Sequence, residues 1–224
     1  MMKFLISAVI EDFLLLLKQQ RDFFQLEKEK RLSLAQQAWG EGALSSYLSI
    51  VTEKAFIHDL AAALKALKGN PATDDRGMLE AFGAYFVEEF PAAFDQLDRT
   101  HADSSEDQQQ RELKKLFPEE TVFFRALRSV LLGHSPQEIS EAIVDFLRFL
   151  HRSPRVIIQS PLPCDQETKR EIRATFFKTH PKSFLTFSVN KQLIGGIRFF
   201  VDGQVDDLSW FSKIQTFGQL STTK

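Results

Sequence analysis

Cysteine is almost missing from this chain, with Cys164 the one thiol in 224 residues. A lone thiol forms no internal disulfide and builds no thiolate metal site, which points to a reducing compartment. Charge of one sign is missing too: 28 Lys and Arg stand against 30 Asp and Glu, for a net charge of -2. No overall field gathers nucleic acid or an anionic membrane. Long apolar runs are absent, because Glu11 and Asp12 interrupt the opening stretch from Phe4 to Leu17. A membrane span needs about 20 apolar residues, and no small-residue cleavage site of a secretory leader follows. The expected address is therefore cytoplasmic.

Chemical motifs are equally sparse. His58, His101, His134, His151 and His180 are scattered without metal-ligand spacing. The segment Leu193–Ile197 lacks the Gly-Lys-Ser/Thr ending of a phosphate loop, and no helix pattern starts there. The pairs Glu88-Glu89 and Glu119-Glu120 are sequence neighbours, so on a helix they diverge and make no acid–base couple. Cys164 stands in a turn before a helix, with no local signature of a nucleophile. No catalytic residue, cofactor or metal is expected, and the chain reads as a protein that works by binding other proteins.

What is plentiful is phenylalanine: 22, beside only 2 Trp and 2 Tyr. Phe carries no polar handle and favours interior or interface burial. Several occur as pairs, namely Phe23-Phe24, Phe123-Phe124, Phe176-Phe177 and Phe199-Phe200. Neighbours on a helix point about 100° apart, so burying both rings requires a wide apolar face.

Residues 2–150 have helical periodicity and no clean two-residue alternation, so this portion reads as all-α. A first helix is predicted over about 3–37, then punctuation at Trp39-Gly40-Glu41-Gly42 and a second helix over about 43–67, stopped by Gly69-Asn70-Pro71. A third opens near Asp74-Asp75, and Pro91 is expected to kink or split it. The polar stretch 98–110 reads as an exposed loop or frayed helix start. A fourth helical region spans about 106–132 with a break at Phe117-Pro118 and an end at Gly133. Ser135-Pro136-Gln137-Glu138 has the spacing of a capping box, opening a helix that ends near His151.

The pattern changes after Pro154. A short β-rich run at 155–159 precedes a turn at 161–165 and a charged helix at 166–178. Alternation at 184–189 and a run at 197–201 predict two strands, separated by Gly195-Gly196. Asp202-Gly203 makes a turn, and a final helix is predicted over 206–220. The fold class expected is α+β: an all-α helical bundle at 1–152 followed by a small mixed domain at 153–224.

Residues 155–220 resemble the C-terminal domain of the delta subunit of F-type ATP synthase, the oligomycin-sensitivity-conferring protein family. The resemblance is carried by Val189, Asn190, Leu193-Ile194-Gly195-Gly196-Ile197 and Val201-Asp202-Gly203-Gln204-Val205, then Asp207 and Ser209. Upstream, Val156 to Ser160, Pro161-Leu162-Pro163 and the helix through Lys169 and Ile172 are similar to its opening strand, turn and helix. The chain departs from the family at Asn190, where Asp is usual, and at Trp210-Phe211, where a basic residue is usual. Residues 1–150 are similar only in being helical, in coming first and in being of bundle length.

The resemblance implies a stator subunit in the peripheral stalk, at the inner face of the plasma membrane and touching the membrane only through the complex. The helical domain would hold the N-terminal segments of the alpha subunits, and the C-terminal domain the end of the b subunit. The head would then not turn with the rotor while proton flow drives ATP synthesis. Leu193, Ile194, Gly195, Gly196, Asp207 and Ser209 would be structural, the glycines by permitting positive φ or close backbone approach. Two other readings stay open. One is a helical adaptor or regulatory protein that shares only the shape of the C-terminal domain. The other is an RNA-binding module using Lys169, Arg170, Arg173, Lys178 and Lys182 interleaved with Phe176 and Phe177, diluted by Glu167 and Glu171.

Overall fold

The computed structural model describes residues 1–69, 77–100 and 105–209, the side chains of 98–100 excepted. The chain is α+β and divides into two compact units, Met1–Leu150 and His151–Lys224. The expected start of the third helix at Asp74-Asp75 lies outside the described residues.

The first unit is helical throughout its described length. Helix α1 covers Met2–Gln19, and a short 3-10 turn, Phe23–Gln25, leads into α2, Lys28–Trp39. The single helix expected over 3–37 is therefore broken at 20–27. The break lets Phe23 bury completely while its ring meets Phe24 edge-on at 5.5 Å. An unbroken helix would have aimed the two rings about 100° apart.

After the Gly40 and Gly42 turn, both at positive φ, come α3, Ala43–Ile50, and α4, Glu53–Leu67. The one helix expected over 43–67 is interrupted at Val51 and Thr52, both extended, and Thr52 Oγ1 accepts Ala55 N–H at 3.3 Å as an N-cap. Then follow α5, Gly77–Ala84, a π-turn, Tyr85–Glu89, and α6, Phe90–Thr100. Pro91 does not split this helical path. The π-turn ahead of it sends Phe90 N–H five residues back to Tyr85 O, and this widening accommodates the proline next to it, whose ring would otherwise press on the carbonyl four residues earlier.

Helix α7, Glu106–Leu116, starts at a Ser105–Gln108 capping box, at the expected start of the fourth helical region, while within the polar stretch 98–110 α6 continues to Thr100. Helix α8, Val122–Gly133, follows the expected break at Phe117-Pro118. Helix α9, Pro136–His151, opens where Ser135 and Glu138 exchange hydrogen bonds, Ser135 N–H donating to Glu138 at 2.9 Å and Glu138 N–H to Ser135 Oγ at 3.3 Å.

The core of this unit is aromatic. Phe13 is fully buried and meets Trp39 edge-on at 4.8 Å, with Tyr47 and Phe56 each at 6.1 Å. A second cluster joins Phe82, Tyr85, Phe86, Phe90, Phe123 and Phe124 at centroid separations from 5.0 to 6.4 Å. Each such ring pair adds about 0.5–1.5 kcal/mol beyond area burial.

The second unit contains a four-stranded sheet in the order β2-β1-β3-β4. Strand β1 is Val156–Ser160, helix α10 is Gln166–Phe176, and β2, β3 and β4 are Leu185–Val189, Arg198–Val201 and Gln204–Asp207. Strands β1 and β2 are parallel, as the α10 crossover requires, while β3 runs antiparallel to both β1 and β4. Val156, Ile158 and Leu185 form the buried centre, with Ile172, Phe176, Phe177, Phe187 and Phe199 packed against it.

The final helix expected from 206 is corrected at its start: Asp206 and Asp207 belong to β4. Asp202 at φ 48° and Gly203 at φ 86° have the two positive values of a type I′ hairpin turn, whose twist continues two paired strands. The rest of that expected helix, 210–220, lies outside the described residues.

Candidate functional site

Three of the residues that carry the family resemblance, Gly196, Asp207 and Ser209, meet at the open end of the β3–β4 hairpin. A hypothetical Cβ on Gly196 would lie 2.6 Å from Leu208 O and 2.8 Å from Ser209 Cα, and the residue has φ +82°. Only glycine satisfies both conditions without displacing backbone. Asp207 binds Arg198 across the hairpin, Nε at 3.0 Å and Nη2 at 2.6 Å to the same carboxylate oxygen, while its other oxygen accepts Ser209 N–H at 2.9 Å. Hydrogen bonds from Ser209, then from Arg198, hold the Asp207 carboxyl down at about 2.

Of the six residues, Gly196, Asp207 and Ser209 therefore converge, and Ser209 is fully buried. Leu193 is buried separately and donates its N–H to Asn190 O at 3.1 Å. Gly195 is half-buried, and Ile194 is 67% exposed and joins nothing in the knot. Asn190 donates to Gln159 Oε1 at 3.0 Å and accepts Gln192 N–H at 3.0 Å.

Arg198 is the participant that the sequence reading missed. Its signal was the two-residue Asp202-Gly203 turn, which pairs Val201 with Gln204 and, three steps out, Arg198 with Asp207. Reading 206–207 as a helix start concealed that register.

The basic residues at 169–182, three on α10 and two beyond it, are not uniformly exposed. Lys169 is only 7% exposed, and its ammonium lies 5.4 Å from the Phe187 ring centroid, with the Arg173 guanidinium at 5.0 Å from the same ring. Arg170, Lys178 and Lys182 are exposed. The Cys164 thiol donates to Ser160 Oγ at 3.3 Å, and Ser160 Oγ donates to Leu162 O at 2.6 Å, which stitches the turn after β1. Among the described residues no group of three or more His, Cys, Asp or Glu is placed to hold a metal ion. Among them, too, no helix is long and apolar enough to cross a membrane.

The helical unit has an apolar pocket of ≈ 310 Å³ bordered by α1, α4 and α9, where Met2, Ile6, Ala66, Phe146 and Phe149 meet. Phe4, Leu64 and Phe149 are 55%, 46% and 40% exposed on these same helices. Their apolar character was legible in the sequence, but their exposure was not, because a Phe on a helix looks the same whether it faces core or solvent.

Compared with known proteins, the chain matches no family model and no curated sequence.

Proposed function

We propose that the chain is a non-catalytic stator subunit of the F-type ATP synthase delta type, joining the catalytic head to the peripheral stalk. The observation that supports this reading best is the convergence of Gly196, Asp207 and Ser209, where the close backbone approach gives a physical reason for glycine at a position that carries the resemblance. The pocket among α1, α4 and α9 has the apolar lining that an amphipathic helix of an alpha subunit requires. The b subunit is assigned to the C-terminal unit by the resemblance alone.

The test is a capture experiment with tagged full-length chain against purified alpha and b subunits. Retention of both supports the proposal. Phe149→Asp is expected to reduce alpha capture at least tenfold and to leave b capture unchanged. Capture of neither subunit, under conditions where an authentic delta subunit captures both, overturns the stator reading.

The adaptor reading draws on the same exposed Phe4, Leu64 and Phe149, and becomes the better one if the chain forms stable complexes only with unrelated proteins. For the RNA reading, two of its five cations are committed to the Phe187 ring. Steep salt-dependent RNA binding would be needed to restore it.

A further inference from the structure

Another concavity in the helical unit is chemically different from the apolar pocket. It is a groove of ≈ 770 Å³ between α7 and α8. Leu132, half-buried, supplies accessible apolar surface, and Leu113, completely buried, lies beneath it. Among the described residues four cations line it, Arg111 and Lys114 from α7 and Arg125 and Arg128 from α8.

These cations have unequal roles. Arg128 is a brace: its Nη1 donates to Phe117 O at 2.6 Å and Glu119 O at 2.9 Å, and its Nη2 to Glu120 at 3.0 Å. It thereby fixes the α7–α8 connection and the spacing of the groove walls. Lys114 shares Glu120 at 3.3 Å. Arg111 and Arg125 are exposed, and among the described residues neither side chain has an ion pair or a hydrogen bond. Two exposed arginines thus stand on opposite walls of a braced groove. Guanidinium presents a planar fork suited to carboxylates, and prefixed walls reduce the ordering cost of a partner.

The groove also has acidic residues, Glu106 and Asp107, in the first turn of α7, where they complement that helix's positive end. They give the groove a polarity, acidic at the start of α7 and basic further along. Polyanions are poorly suited to it, since a uniformly charged backbone would meet those two carboxylates. Among the described residues no aromatic side chain lines the groove to stack a base.

We propose that the α7–α8 groove is a docking site for an acidic, amphipathic peptide segment of a partner protein, whose carboxylates pair with Arg111 and Arg125 and whose apolar side chains cover Leu132 and the aliphatic stems of the groove's cationic side chains. The site is separate from the apolar pocket among α1, α4 and α9 and does not depend on the stator assignment. Surface ion pairs alone contribute little, so binding relies on the apolar floor together with the charge match.

The test uses the full-length chain and fluorescence anisotropy with three probes: an amphipathic Leu/Glu peptide, the same peptide with Lys for Glu, and a single-stranded RNA oligonucleotide of equal length. The expected result is saturable binding of the Leu/Glu peptide, weakened at least tenfold by Arg111→Ala with Arg125→Ala. The charge-reversed pair Arg111→Glu and Arg125→Glu should shift preference to the Lys peptide. Both arginines are exposed, so thermal unfolding of the variants should match the parent. No saturable binding of the Leu/Glu peptide, equal binding by parent and double variant, or tighter binding of the Lys peptide or the RNA by the parent, overturns the proposal.

Discussion

The Asp12 carboxylate on α1 accepts the backbone N–H of Phe123, in the first turn of α8, at 2.7 Å. It also accepts Val122 N–H at 2.8 Å, from a residue 110 positions away in sequence. Thr121 caps the same helix through Phe124 N–H, so a buried residue from another helix completes a cap that local sequence only begins. Glu89 does the same for α3, accepting Ala43 N–H at 2.7 Å, with its carboxylate against the space a Gly42 side chain would occupy.

Replacing Asp12 by Ala removes the acceptor for both amides. A loss of about 2–4 kcal/mol is expected, given about 1–3 kcal/mol for each buried group left unsatisfied. Urea unfolding monitored by circular dichroism measures it. A change under 0.5 kcal/mol would mean that water replaces the cap.

The same carboxylate has a pH signature. Burial raises the Asp12 carboxyl above the usual range and outweighs the opposing hydrogen bonds from Phe123 and Val122. With the folded pKa above the unfolded one, its contribution is fully present below about pH 4 and declines as pH rises through the folded pKa. Subtracting the pH–stability curve of Asp12→Asn from that of the parent should leave a component that falls across that window. A difference curve that rises there would contradict the burial argument.

Asp207 behaves in the opposite sense. Its carboxyl is held at about 2 by Ser209 and Arg198, so its stabilisation is present above about pH 4 and is lost as pH falls from there toward 2. Asp207→Asn should flatten this part of the acid unfolding profile, read from NMR signals of the β3–β4 hairpin. An unaltered profile would show that the Arg198 pair is too hydrated to matter.

Gly196 and Gly203 share positive φ but differ in surroundings, since nothing lies within 4 Å of a Cβ at Gly203. Gly203→Ala should cost only about 1–2 kcal/mol, the strain of a left-handed backbone. Gly196→Ala adds an overlap with Leu208 O and should cost about 1–3 kcal/mol more. Paired thermal melts decide this, and equal destabilisation would indicate that the 208–209 backbone moves aside freely.

Tyr47 donates its hydroxyl to Asp59 Oδ2 at 2.7 Å, and burial, then Asp59 itself, pushes the phenol above the usual tyrosine range. Tyr47→Phe keeps the ring beside Phe13 but removes this donor from a carboxylate that is 8% exposed. A loss of about 1–3 kcal/mol is expected by chemical denaturation. A neutral result would show that Asp59 finds another donor.

The sequence by itself determined the fold class, the all-helical character of the first unit within its described residues, the capping box at Ser135–Glu138, and the break at Phe117-Pro118. Each rests on local chemistry, namely periodicity, a capping spacing or a proline, and needs no distant partner. Where helices were interrupted without Gly or Pro, at 20–27 and at Val51-Thr52, periodicity continued across the break and concealed it. Tertiary packing decided the first of these points, where the break buries Phe23 completely and sets its ring edge-on to Phe24. It also decided that Asp206 and Asp207 are strand rather than helix, by pairing them with Phe199 and Arg198. The candidate sites divide the same way. A glycine pair announces a tight backbone, but the atom that fills the space beside Gly196 comes from Leu208. Likewise, arginines at 111 and 125 became a paired feature only when the turn braced by Arg128 brought α7 and α8 side by side.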